Sequence, residues 1–194
     1  MKRKMNKFYL LVLFMGTVLA VNAQTKYFLE NNSSRLIVEG TSSIHDWEME
    51  ANDLKSAIVL RFNDNKLSDI EKAEFSSPAE KVLSDNSVMN NKTHKALKAG
   101  KYPEITFNLK SVNRFNVSGN SVTGQVTGVL KIAGVTKTIR VNFSGKINPG
   151  YSLSIQGSVP LKMSDFDIDP PTAMLGALKT GDDIKINFKF LYKK

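Results

Sequence analysis

The sequence predicts an all-β domain, a single antiparallel eight-stranded barrel with one short helix, behind a cleavable secretory leader. Three observations predict it. Apolar residues recur with a period of two along most of the chain. Turn-forming Gly, Asn, Asp and Pro separate those runs at short intervals. One segment alone, residues 87–97, breaks the alternation and reads as a helix, ending before Gly100 and Pro103.

The leader comes first. Lys2, Arg3, Lys4 and Lys7 form a basic segment, residues 8–21 are apolar, and Val21-Asn22-Ala23 is a small-residue cleavage site. This is the pattern of a signal peptide over residues 1–23, too short for a lasting membrane span. The domain is therefore expected over residues 24–194, without integration into a membrane. Removing 23 of the 194 residues leaves 171, enough for one domain with a core. The leader carries four positive charges and no negative one, so the formal charge falls from +9 to +5. The remaining basic excess is scattered, which argues against a nucleic-acid partner. The absence of cysteine excludes disulfides, thiolate metal sites and cysteine nucleophiles. An exported chain without disulfides suits the periplasm of a bacterial envelope.

Leu36/Val38 open the alternation, followed by a candidate strand through residues 43–49. Ile58/Leu60/Phe62 and Ile105/Phe107/Leu109 continue it. The longest run is Val122, Gly124, Val126, Gly128, Leu130 and Ile132. Ile139/Val141/Phe143, Leu153/Ile155/Gly157/Val159/Leu161 and Ile184/Ile186/Phe188/Phe190/Tyr192 complete the set. Turns are expected at residues 63–65, 118–120, 133–134 and 148–150. Several runs are about twice the mean strand length, which favours closure into a barrel that leaves no exposed edges. Gly124 and Gly128 on an apolar face suit a sharply bent wall.

The segment "GTSSIHDWEMEA", residues 40–51, holds the single tryptophan and one of the two histidines. In a strand, Ser43, His45, Trp47 and Met49 share one face, while Ile44, Asp46, Glu48 and Glu50 share the other. The acidic face should be the wet one, so His45, Trp47 and Met49 are expected to look inward. Asp46 then points away from His45 and cannot orient it as in a hydrolase triad. Three readings of His45 stand in order: a buried, hydrogen-bonded imidazole, a polar contact to a ligand, and a catalytic or metal role. Trp47 reads equally as core packing or cavity lining, and its indole N–H will need an acceptor. His94, among Lys92 and Lys95, reads as an exposed helical position.

Asp165, Asp167 and Asp169 alternate like the start of a calcium loop. Pro170 and Gly176 stand where that loop needs Gly and Glu, so no metal is expected. No nucleophile elbow, phosphate loop or dinucleotide fingerprint occurs. The reading is therefore non-enzymatic, without cofactor. An elongated apolar ligand would be held by His45, Trp47, Met49, Phe62, Phe107, Phe143, Ile155 and Phe188, the alternative being a core filled by its own side chains. Pro170 and Pro171 should end the preceding strand, leaving Met174, Leu175 and Leu178 to cover an opening.

Four segments also carry a resemblance: "LIVEGTSSIHDW" (36–47), "HKALKAGKYPEITFNLKSV" (94–112), "VTGVLKIAGVTKTIRVNF" (126–143) and "LKMSDFDIDPP" (161–171). In order and spacing the chain resembles the YceI-like family of periplasmic, lipocalin-like polyisoprenoid-binding proteins. The resemblance implies an extended eight-stranded barrel around an apolar tunnel for an isoprenoid or similar amphiphile. Asp46 stands where many members carry glycine, and Met163 where an arginine is frequent. Two rivals remain open: an outer-membrane barrel, since alternation alone does not say which face is outside, and a lipid-modifying enzyme using His45. The oligomeric state stays open.

Overall fold

Strands and one helix follow one another in the computed structural model, which describes residues 23–64, 66–173 and 177–194. Residues 1–22 of the expected leader lie outside them, as do Asn65, Met174 and Leu175. The strands are β1 (Ala23–Leu29), β2 (Arg35–Ser42), β3 (Trp47–Ala51), β4 (Lys55–Asn63), β5 (Lys66–Pro78) and the short β6 (Val82–Leu83). Helix α1 (Ser87–Ala96) follows, then β7 (Glu104–Ser118), β8 (Ser121–Ile132), β9 (Val135–Ile147), β10 (Leu153–Lys162), the short β11 (Thr172–Ala173) and β12 (Leu178–Lys193).

Eight of them, β1, β4, β5, β7, β8, β9, β10 and β12, are antiparallel neighbours in that order. The last returns to the first through Phe28↔Lys193 and Leu29↔Tyr192, so one sheet closes on itself. At 16 residues, β12 is long enough to serve further partners besides β10. Its C-terminal end meets β1, and its middle pairs with β2 through Val38↔Ile186 and Leu36↔Phe188. β3 and β6 extend the wall beyond β2. α1 follows, its first turn capped by the Asn86 side chain, which accepts from Val88 N and Met89 N at 3.0 and 3.1 Å.

The eight-stranded antiparallel barrel is the architecture expected, with a different membership. Period-two alternation singled out β2 and the β3 segment as barrel strands and passed over β1 and β5. The reason is physical. Register shifts between Val59/Leu60 and Arg61/Phe62 put buried Leu67 and Ile70 three positions apart on β5, so period two fails there. β1 is short and its apolar face amounts to Tyr27 and Leu29.

The strand before the proline pair ends at Lys162, well short of Pro170. Met163 already takes helical angles, and Asp182 holds the following turn by accepting from Ser164 N at 2.8 Å and Ser164 Oγ at 2.6 Å. Ala133 and Gly134, both at positive φ, make the two-residue turn between β8 and β9. The Tyr102 ring lies where a Cβ on Gly134 would stand.

Elsewhere alternation sorted inside from outside. On β9, Val141 and Phe143 face the interior while Thr138, Arg140, Asn142, Ser144 and Lys146 are exposed.

Candidate binding cavity

Inward faces of β4, β5, β7–β10 and β12, joined by β2, β3 and α1, enclose a cavity of about 480 Å³. Its wall is apolar apart from a few groups. Ionisable lining side chains are His45, Glu74, Lys92 and Lys179, together with the Tyr192 phenol. Beyond one end, Tyr27, Leu60, Leu67 and Val122 fill the barrel solidly. Toward the other, Met163, Phe166 and Ile168 form a second cluster that contributes to the lining.

Seven of the eight residues singled out from the sequence line this cavity: His45, Trp47, Met49, Phe107, Phe143, Ile155 and Phe188. Phe62 does not; it stacks on Tyr27 at 6.5 Å between ring centroids, in the filled end. The cavity also takes in residues that sequence reasoning did not assign to the lining. Ser56, Met89, Leu97, Met163 and Phe166 come from the helix, from 3-10 and loop segments, and from strand positions without an aromatic signal. Met89 and Leu97, eight apart in the segment 87–97 read as a helix, were the one trace of this in the sequence.

The aromatic rings lie against the wall instead of spanning the lumen. A Cβ placed on Gly128 would come within 2.1 Å of Phe107 Cζ, and one on Gly124 within 2.5 Å of Phe143 Cζ. Gly157 stands in the same relation to Phe188 at 2.5 Å, and Gly40 to Trp47 at 2.2 Å. The space of four missing side chains is occupied by four rings from neighbouring strands, which leaves the centre open. Glycines expected to bend the wall thus also seat its aromatics.

His45 departs from its expected place. Residues 43–46 are not strand but a turn between β2 and β3: Ser42 Oγ accepts from Ile44 N and His45 N, and Ser42 N donates to His45 O at 3.0 Å. A small hydroxyl residue offering its own side chain to the next amides favours a turn over a strand. His45 is therefore exposed at the opening, with Nδ1 2.7 Å from the Asp46 backbone carbonyl. Its ring is not buried, and the Asp46 carboxylate does not address it. Trp47 keeps the inward face, half-buried, and its indole N–H finds its acceptor in Thr41 O at 2.9 Å. His94 is half-buried too, its Nε2 3.2 Å from Val82 O.

One polar pair lies among the apolar walls. Ser56 Oγ donates to Glu74 O at 2.5 Å, so it must accept from the Tyr192 hydroxyl, 2.8 Å away. Burial pushes the Tyr192 phenol up to about 12. Among the described residues no cluster of three or more His, Asp or Glu could hold a metal ion. No helix there is long and apolar enough to cross a membrane.

A closed antiparallel barrel around an apolar cavity defines a class, the ligand-enclosing barrels. The YceI-like domain matches residues 27–191, nearly all of the described chain, and the chain belongs to the YceI-like family. No curated protein matches it. Among solved structures it is similar to Burkholderia cenocepacia BcnA, at 18% identity and TM-score 0.67, covering 84% of this chain and 98% of that one. A polyisoprenoid binding domain from Saccharophagus degradans, implicated in plant cell wall breakdown, aligns at 15% identity and TM-score 0.69, covering 86% and 97%. The Campylobacter jejuni YCEI protein aligns at 22% identity and TM-score 0.57, covering 75% and 84%. At these identities the likeness is one of fold.

Proposed function

We propose that the protein is an exported, non-catalytic binding protein that encloses an elongated apolar or amphiphilic ligand, an isoprenoid or fatty lipid, for transport, storage or sequestration. The observation that carries this reading is the cavity itself: about 480 Å³ of apolar-walled space that the aromatic side chains leave unfilled. That volume lies in the range of small-molecule sites. The solved structure of similar fold described as a polyisoprenoid binding domain supports the ligand class. Export to the periplasm rests on the basic and apolar leader, residues 1–23, ahead of a domain over 24–194. The polar outer face of β9 and β12 supports a barrel that does not span a membrane, since a spanning barrel carries its apolar face outward.

In this reading His45, Trp47, Met49, Phe107, Phe143, Ile155 and Phe188 contact the ligand, His45 at the opening and the others along the wall. Binding is driven by area burial, at about 25 cal/mol per Å². The test is a series of saturated fatty ligands of increasing length. Each methylene buried is worth about 0.8 kcal/mol, or roughly fourfold in affinity. Affinity should climb with length until the cavity is full, and Phe107→Asp, which places a charge on the wall, should abolish the climb. Affinity independent of chain length overturns the reading. So does undiminished binding by a folded Phe107→Asp protein.

A further inference from the structure

Four large apolar side chains are strongly exposed among the described residues: Phe28, Ile44, Val88 and Tyr151. Two of them, Ile44 (63% exposed) and Val88 (62%), also line the cavity, so both stand at its opening. They lie more than forty positions apart in sequence and are brought onto one rim by a chain of contacts. Ser43, beside Ile44, donates from its backbone N to Lys179 O at 2.9 Å, and Lys179 N donates to Ser43 Oγ at 3.2 Å. Lys179 pairs with Thr172 across β11 and β12, and Thr172 O accepts from Lys92 Nζ. Lys92 stands four residues after Val88 on α1, on the same helical face.

Among the described residues, the lysines that line the cavity, Lys92 and Lys179, stand at the opening with the His45 ring; the acidic lining residue, Glu74, sits on β5 and pairs with Lys72. Asp46, exposed beside His45, does not line the opening. Two exposed apolar side chains beside two lysines, at the entrance to an apolar cavity, match the two components of a lipid surface. The apolar tips suit the acyl boundary and the lysines suit anionic head groups.

We propose that this rim, formed by Ile44, Val88, Lys92 and Lys179, is a docking surface for an anionic lipid bilayer, and that it sets the cavity opening against the membrane. An apolar ligand then passes between bilayer and barrel without crossing water. This goes beyond ligand binding and stands on the rim residues alone.

The experiment is flotation of the purified protein with vesicles of neutral phosphatidylcholine, and with vesicles in which about a third of the lipid is anionic phosphatidylglycerol. Two lysines at an anionic surface raise partitioning about thirtyfold over the neutral vesicles, and salt screens most of the gain. Ile44→Ser with Val88→Ser should lose association with anionic vesicles, and Lys92→Gln with Lys179→Gln should remove the preference for anionic lipid. Tyr151→Ser, at 65% exposure on the turn between β9 and β10, serves as the control and should leave association unchanged. Phe107→Asp should also leave it unchanged, so loss of cavity binding and loss of docking are read separately. No association with anionic vesicles overturns the proposal, as does association that survives both rim pairs or is lost with Tyr151→Ser.

Discussion

Glycine identity at position 128 decides where the Phe107 ring lies. A methyl group there would stand 2.1 Å from Phe107 Cζ and 2.9 Å from Asn108 O, and the backbone cannot yield. Gly128→Ala should therefore swing the ring into the lumen, costing about 1–3 kcal/mol of stability as an overpacked site and shortening the longest fatty ligand that binds. Gly100→Ala, with nothing within 4 Å of the added carbon, should show neither effect. Thermal denaturation and the chain-length series read both variants. At the same scale, the buried Tyr192 phenol gives an alkaline signature. The unfolded chain releases that proton near 10.0 and the folded protein only near about 12, so between them the folded state holds more protons. Stability contributed by this group is complete below pH 10 and is lost as pH rises through that window. Burial of Tyr27 acts in the same direction. Chemical denaturation across this range should show a shallower decline for Tyr192→Phe.

Opposite β11, α1 is tied down at two depths. Lys92 Nζ donates to Thr172 O on the rim, and Thr93 Oγ1 donates to the sulfur of the cavity-lining Met49 at 3.2 Å. Pro171, Thr172, Leu178 and Lys179 line the opening from the other side. The sequence expectation that the segment after the proline pair covers an opening becomes, at this scale, a statement about exchange. Loading a fatty ligand should slow amide exchange in residues 172–173 and 177–180 and in α1, while the β9–β10 turn at the far end stays unchanged. Equal protection at both ends would mean that the ligand enters elsewhere. The polar sequence of α1 hid this role, because the cavity takes Lys92 and Thr93 from it beside Val88, Met89 and Ala96, with Leu97 just after its end.

Closure of the whole barrel rests on a short seam. β1 and β12 share two residue pairs, reinforced where Glu30 N donates to Leu191 O at 2.8 Å. Ser34, nearly buried, completes the join: its hydroxyl donates to Glu30 O at 2.8 Å and accepts from Leu191 N at 3.0 Å. Ser34→Ala strands a backbone N–H at the seam and should cost about 1–3 kcal/mol, read from urea denaturation as a lower midpoint at unchanged slope. Arg35→Ala, one residue on, breaks only the exposed pair with Glu50 and should cost at most about 1 kcal/mol.

What the sequence determined by itself is what depends on neighbours along the strand. Alternation requires only that one face of each strand be buried, so the inward sets on β7, β9, β10 and β12, including Phe107, Phe143, Ile155 and Phe188, were legible in the order of residues alone. The helix and the tight turns were legible for the same local reason. Tertiary structure alone decided whatever depends on partners distant in sequence. Bulges on β4 and β5 broke the period and hid a barrel strand. Phe62 fell into the filled end, because Tyr27 of β1 stacks on it. His45 left the lumen for the rim, because the Ser42 hydroxyl captured its amide and turned the chain. Whether the barrel is hollow was also decided there. A ring can lie flat over a glycine only when the register of the neighbouring strand brings that glycine beneath it, and register is set by pairing across the sheet, between residues far apart in the chain.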